Sequence, residues 1–127
     1  MQDIPRPIIG YFGTINSTRL DGDLLYQIIS QRPDYSFVFT GPEDDIFRRN
    51  RIHSLKNAYF TGQKKVDELP AYIAAYDVCI NPQMVNEITD GNYPLKIDEY
   101  LAMGKPTVAT STHTMRHIFA NHTHLAT

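Results

Sequence analysis

Five short apolar runs recur along the chain, separated by segments of helical periodicity, and this alternation constrains the fold more than any other feature. The runs are Pro7-Ile-Ile-Gly-Tyr-Phe-Gly13, Tyr35-Ser-Phe-Val-Phe-Thr40, Asn57-Ala-Tyr-Phe-Thr61, Asp77-Val-Cys-Ile-Asn-Pro82 and Thr107-Val-Ala-Thr110. Several are apolar at consecutive positions, so both faces of the strand are expected to be buried, as in a parallel sheet covered on both sides. Between them, residues 21–31 place Leu24, Leu25, Ile28 and Ile29 on one stripe, with Asp21 or Asp23 at the start and Arg32-Pro33-Asp34 at the end. Helices are also expected over 44–55, over 66–76 with Pro70 in the first turns, and in the first part of 92–110, ahead of Gly104. A short helix over 113–119 and a sixth strand starting at His124 complete the series. Strict β-α alternation implies an α/β fold: an open parallel sheet with right-handed crossovers and helices on both faces.

At 127 residues the chain suits one domain with a sizeable core. Lysine and arginine number 12 against 14 acidic residues, a net charge of −2, so no basic surface argues for nucleic acid. The single cysteine, Cys79, falls inside an apolar run and reads as a small core residue. With no partner for an intrachain disulfide, it favours a reducing compartment. No run approaches the roughly 18 apolar residues of a membrane span. The first residues, with two prolines, resemble a linker more than a secretion signal. The expected division is a linker over 1–6 and a domain over 7–127 that continues from a longer protein.

In open parallel sheets, ligands bind beyond the carboxyl ends of the strands, near the switch in strand order. The loops expected at that edge are 13–20, 41–44, 62–65, 82–92 and 111–113, and three of the five begin with glycine. Neither a GxxxxGK[ST] phosphate loop nor a GxGxxG fingerprint is present.

The stretch 92–110 carries the most chemistry. Pro94 suits the first turn of a helix, and Gly104 suits a left-handed residue closing its last turn. At 100° per residue, Ile97, Tyr100 and Leu101 share a core-facing side, and Lys96, Glu99 and Met103 share another. Lys96 and Glu99 would form either a weak surface salt bridge or one side of a ligand site. In the second case Lys96 and the helix N–H groups suit a phosphate, and Glu99 suits a vicinal diol. His113, His117, His122 and His124 lie close together in sequence, but no cysteine or carboxylate accompanies them. They read as surface and loop residues rather than a metal site. His113 alone would reach the ligand edge.

Several of these segments, in order, resemble the C-terminal half of the group 1 (family 4) retaining glycosyltransferases of the two-domain GT-B fold. They are Ile9-Gly-Tyr-Phe-Gly13, Phe37-Val-Phe-Thr-Gly-Pro42, Asn57-Ala-Tyr-Phe-Thr-Gly62, Glu68-Leu-Pro-Ala-Tyr-Ile73, Tyr76-Asp-Val-Cys-Ile-Asn-Pro82 and Pro94-Leu-Lys-Ile-Asp-Glu-Tyr-Leu-Ala-Met-Gly-Lys-Pro106. The resemblance implies a Rossmann-like three-layer domain with a parallel sheet of about six strands. It also implies a nucleotide-diphosphate sugar as donor, an acceptor domain on a preceding part of the protein, and no metal or other cofactor. By the same resemblance, Glu99 would bind the nucleotide ribose. Leu95 and Lys96 would approach the diphosphate and sugar, Gly13 and Thr14 would face the diphosphate, and the loop from Gly62 would lie near the base.

One departure concerns the family's other acid, eight positions before Glu99. This chain has Gly91 there, with Asp90 adjacent and Glu87 nearby, so Asp90 is the weak catalytic candidate. The implied activity is sugar transfer in cell-surface polysaccharide synthesis, in the cytoplasm or at the inner face of the membrane. A nucleotide-sugar epimerase of the same build and a non-catalytic interaction module are the competing readings. A receiver-type module needs acidic residues after the first strand and a phospho-acceptor after the third. The chain has Gly13-Thr-Ile and Gly62-Gln-Lys at those places.

Overall fold

The computed structural model describes residues 4–17, 20–82, 100–110 and 124–126. Among the described residues, six strands form one sheet: β1 (Ile8–Phe12), β2 (Ser36–Thr40), β3 (Ala58–Gly62), β4 (Val78–Asn81), β5 (Thr107–Thr110) and β6 (His124–Ala126). Their order is β3-β2-β1-β4-β5-β6, and every neighbouring pair is parallel. The chain therefore steps outward from β1 to β3, returns to lay β4 on the other side of β1, and steps outward again. This is the open parallel α/β sheet expected from the alternation, and the Rossmann-like architecture that the family resemblance implied.

The reversal decides which face each helix covers. Right-handed crossovers put the connections that step one way on one face and those that step the other way on the opposite face. Accordingly Leu25 and Ile29 of α1 (Gly22–Gln31) and Phe47 of α2 (Asp45–Arg48) share a core with Ile9, Tyr11, Phe37 and Phe39. On the other face, Ile73 of α3 (Leu69–Ala75) and Tyr100 pack with Ile8, Phe12, Val38 and Cys79. Odd and even residues of β1 thus enter different cores, which is why its sequence is apolar throughout.

Local signals set most boundaries. The Asp21 carboxylate accepts from the Leu24 N–H and caps α1, which ends at Arg32. The single helix expected over 44–55 is instead two pieces. Asp44 caps the short α2, and Asn50 accepts from the Ile52 N–H to start a 3₁₀ turn over Arg51–Ser54. Phe47 and Ile52 are both buried in one core. Five residues apart on an unbroken helix they would diverge by about 140°, so the break lets both point inward. The segment over 66–76 likewise opens as a 3₁₀ turn, Val66–Glu68, before α3, with Pro70 in the first turn of the helix. The basic residues Arg48, Arg49, Arg51 and Lys56 are exposed, as a solvated face should be.

Gly104 closes the helix containing residues 100–102 as expected. Its φ is 69°, its N–H donates to the Leu101 carbonyl, and the Lys105 N–H donates to the Tyr100 carbonyl. This double closure satisfies two carbonyls that the helix end would leave unpaired. Lys105 Nζ also donates to the Ala74 carbonyl, tying this turn to the end of α3.

Candidate functional site

At the carboxyl edge the first two turns run side by side. The Gly13 N–H donates to the Thr40 carbonyl at 2.9 Å, and the Ile15 N–H to the Pro42 carbonyl at 2.8 Å. The Asp44 N–H returns to the Ile15 carbonyl at 3.0 Å. The β2 turn is linked to β3 by the Gly41 N–H, which donates to the Gly62 carbonyl. Gly41 has φ 149°, and a β-carbon there would run into the Gly13 carbonyl, so only glycine allows this approach.

Asp44 locks the same region. Its Oδ2 accepts from both the N–H and the hydroxyl of Ser17, and its Oδ1 accepts from the Phe47 N–H. Partial burial pushes this carboxyl upward. The Ser17 and Phe47 donors and the nearby Arg48 charge outweigh that effect and hold it below the usual carboxylate range. Nearby, Glu43 meets His53 Nε2 at 2.6 Å, and the His53 ring stacks on Phe60 of β3.

Beneath these turns lies a chain of hydroxyls. Thr61 Oγ1 donates to Thr40 Oγ1, which is 2.8 Å from the Tyr76 hydroxyl, and Tyr76 donates to the Tyr11 carbonyl. Either hydroxyl of the Thr40–Tyr76 pair can be the donor. Desolvation pushes the Tyr76 phenol well above its ordinary value, keeping it a neutral donor.

The switch in strand order lies between β1 and β4, and the Tyr100 side chain stands in it. Tyr100 is fully buried, its hydroxyl accepts from the Phe12 N–H at 3.1 Å, and it lies 3.4 Å from the Ile80 carbonyl, to which it donates. Its ring meets Phe12 edge-on at 5.4 Å.

The structure places Gly13 and Thr14 in the β1 turn, with the Thr14 side chain exposed and its carbonyl accepting from the Tyr11 hydroxyl. Gly62 ends β3, one strand beyond β2. The three therefore share the carboxyl edge. Leu95, Lys96 and Glu99, together with Glu87, Asp90 and Gly91, lie outside the described residues, as do His113, His117 and His122. Leu101 packs partly on the core and Met103 is exposed, in keeping with the two faces expected of this helix. Sequence periodicity places Tyr100 in the core but carries no signal that its hydroxyl bridges two strands.

A groove of about 320 Å³ runs between α1 and the β4–β5 surface, lined by Leu24, Ile28, Val78, Ile80 and Val108 among others. It is almost wholly apolar and lies on the sheet face, so it is unsuited to a diphosphate. Among the described residues, no group of three or more His, Cys, Asp or Glu side chains could hold a metal ion. Among the same residues, no helix is long and apolar enough to cross a membrane.

Residues 6–126 match the sequence family described as Glycosyl transferases group 1. The chain belongs to the group 1 glycosyltransferases. TuaH of Bacillus subtilis (strain 168), a glycosyltransferase named for teichuronic acid biosynthesis, is 31% identical to it over 107 residues. That alignment covers 82% of this chain and 26% of TuaH. Anabaena HepE, solved in complex with UDP-glucose, superposes with a TM-score of 0.72 at 16% identity over 96% of this chain and 35% of HepE. AviGT4, a glycosyltransferase involved in avilamycin A biosynthesis, gives 0.69 at 13% identity over 99% of this chain and 39% of AviGT4. This group 1 glycosyltransferase chain thus spans about a quarter of TuaH and roughly a third of HepE, and its fold is that of a GT-B glycosyltransferase domain.

Proposed function

We propose that this chain is the donor-binding domain of a retaining glycosyltransferase that uses a nucleotide-diphosphate sugar in cell-surface polysaccharide synthesis. The observation that carries this reading is the family match across residues 6–126, on a sheet whose carboxyl edge carries Gly13 and Thr14 at the β1/β4 switch and Gly62 two strands away at the end of β3. HepE, solved with UDP and with UDP-glucose, and TuaH, by its name, support the donor class and the pathway class. Gly13 and Thr14 face the diphosphate, Leu95 and Lys96 approach the diphosphate and sugar, Glu99 holds the ribose, and the Gly62 turn borders the base. Asp90 takes the place of the family's other acid. A preceding domain supplies the acceptor site, so the chain alone binds nucleotide weakly and transfers no sugar. Transfer with retention depends on stabilising the diphosphate leaving group, which is an electrostatic task for backbone N–H groups and Lys96.

Titration with UDP, GDP and ADP and their sugars, followed by amide NMR shifts, tests the assignment. Perturbation centred on Gly13, Gly62 and residues 92–99 is expected. Silence toward all of them at millimolar concentration overturns it. Glu99→Ala is expected to weaken nucleotide binding with the fold intact, and an unfolded Glu99→Ala variant makes Glu99 a structural carboxylate instead.

A further inference from the structure

We propose that Tyr100 is a positioning residue for the nucleotide: its hydroxyl sets the separation of β1 and β4 at the crevice and with it the place of the Gly13–Thr14 turn. The proposal rests on the donor-site reading above.

The register of the two strands carries the argument. β1 and β4 pair at Ile9 with Val78 and at Gly10 with Cys79. Continued by two residues, that register brings the Phe12 N–H to the Ile80 carbonyl for the next ladder bond. Instead the Tyr100 hydroxyl stands between them, accepting from one and donating to the other. The strands part there, at the switch in strand order where open parallel sheets bind ligands. The hydroxyl satisfies both backbone groups while it keeps them apart. A phenylalanine would leave both unpaired in a dry interior or let the strands close.

Either change would reach the turn above, because Phe12 is bonded directly to Gly13. The helix side is equally fixed. Tyr100 is the next residue after Glu99, and its own carbonyl accepts from the N–H groups of Met103 and Lys105. The Tyr100 side chain therefore joins the end of β1 to the helix end at residues 100–105, without itself reaching the ligand.

Three forms of the chain test this: wild type, Tyr100→Phe, and Ile29→Val as a control for general destabilisation at a buried site in the last turns of α1. Each is titrated with UDP, GDP and ADP. For the nucleotide that wild type binds best, affinity is expected to fall roughly five- to tenfold in Tyr100→Phe and to stay unchanged in Ile29→Val. The Gly13 and Thr14 amides are expected to shift in the nucleotide-free Tyr100→Phe form. Equal affinity in all three forms overturns the proposal and leaves the donor site standing. Failure of the wild type to bind any of the three nucleotides removes the donor-site reading and this proposal with it. If Tyr100→Phe does not fold, wild-type hydrogen exchange decides. Bound nucleotide is expected to slow exchange of the Phe12 amide, and a Phe12 amide indifferent to nucleotide overturns the proposal.

Discussion

The ring of Tyr76 lies directly on Gly10, so close that a β-carbon at Gly10 would overlap three of its ring atoms. Gly10 belongs to the face of β1 that Tyr76 covers, and the missing side chain is what lets the Tyr76 hydroxyl pass over the strand to Thr40. Gly10→Ala is therefore an overpacking substitution. It is expected to cost about 2–3 kcal/mol, read as a lower urea midpoint. A variant as stable as wild type would show that the ring can move aside.

The glycines of the turns are not equivalent. Gly41→Ala combines a strained φ with a clash against the Gly13 backbone, whereas Gly104→Ala meets open space and only the strain of φ 69°. The expected loss is about 1 kcal/mol for Gly104→Ala and clearly more for Gly41→Ala. Thermal unfolding of the two variants side by side checks the order, and the reverse order would contradict the packing at Gly13.

Asp44 gives a stability term with a defined sign in pH. Its carboxyl is held below the ordinary range in the folded chain, so the folded state binds its proton less readily than the unfolded state. That contribution is fully present above the ordinary carboxylate value of about 4. It is lost as pH falls through the lowered folded value. Asp44→Asn is expected to be less stable than wild type at neutral pH, with the gap narrowing in acid. Urea unfolding across the acid range measures it, and a pH-independent gap would mean that Asp44 acts only as a neutral cap.

Cys79 sits in both the β4 strand and the core, and burial pushes its thiol up to about 12, against a lowering influence from Lys105. At mildly alkaline pH it is expected to stay unreactive toward a disulfide reagent such as DTNB until the chain unfolds. Stoichiometric labelling of the folded chain within seconds would show that β4 opens locally.

How far the sequence goes differs between elements. The strand runs, the Asp21 cap, Pro70 in the first turn of α3 and the Gly104 closure are all visible because each signal acts within a few residues of its cause. The helix over 44–55 shows the limit. Its periodicity continues through Asn50, but the need to bury both Phe47 and Ile52 divides it, and that need comes from the sheet beneath. For the candidate site, Gly13, Thr14 and Gly62 could be named from turn chemistry and the family resemblance. Their meeting at one edge depended on β2 lying between β1 and β3.

By itself, then, the sequence determined a parallel α/β domain, its family and the glycine turns that end its first three strands. Only the tertiary structure decided that β4 lies beside β1, that Gly10 must be glycine, and that Tyr100 stands between Phe12 and Ile80. The physical reason is range. Periodicity and caps are set by neighbours along the chain, whereas the Tyr100–Phe12 bond joins residues 88 positions apart. No local pattern distinguishes a tyrosine that fills a core from one whose hydroxyl holds two strands apart.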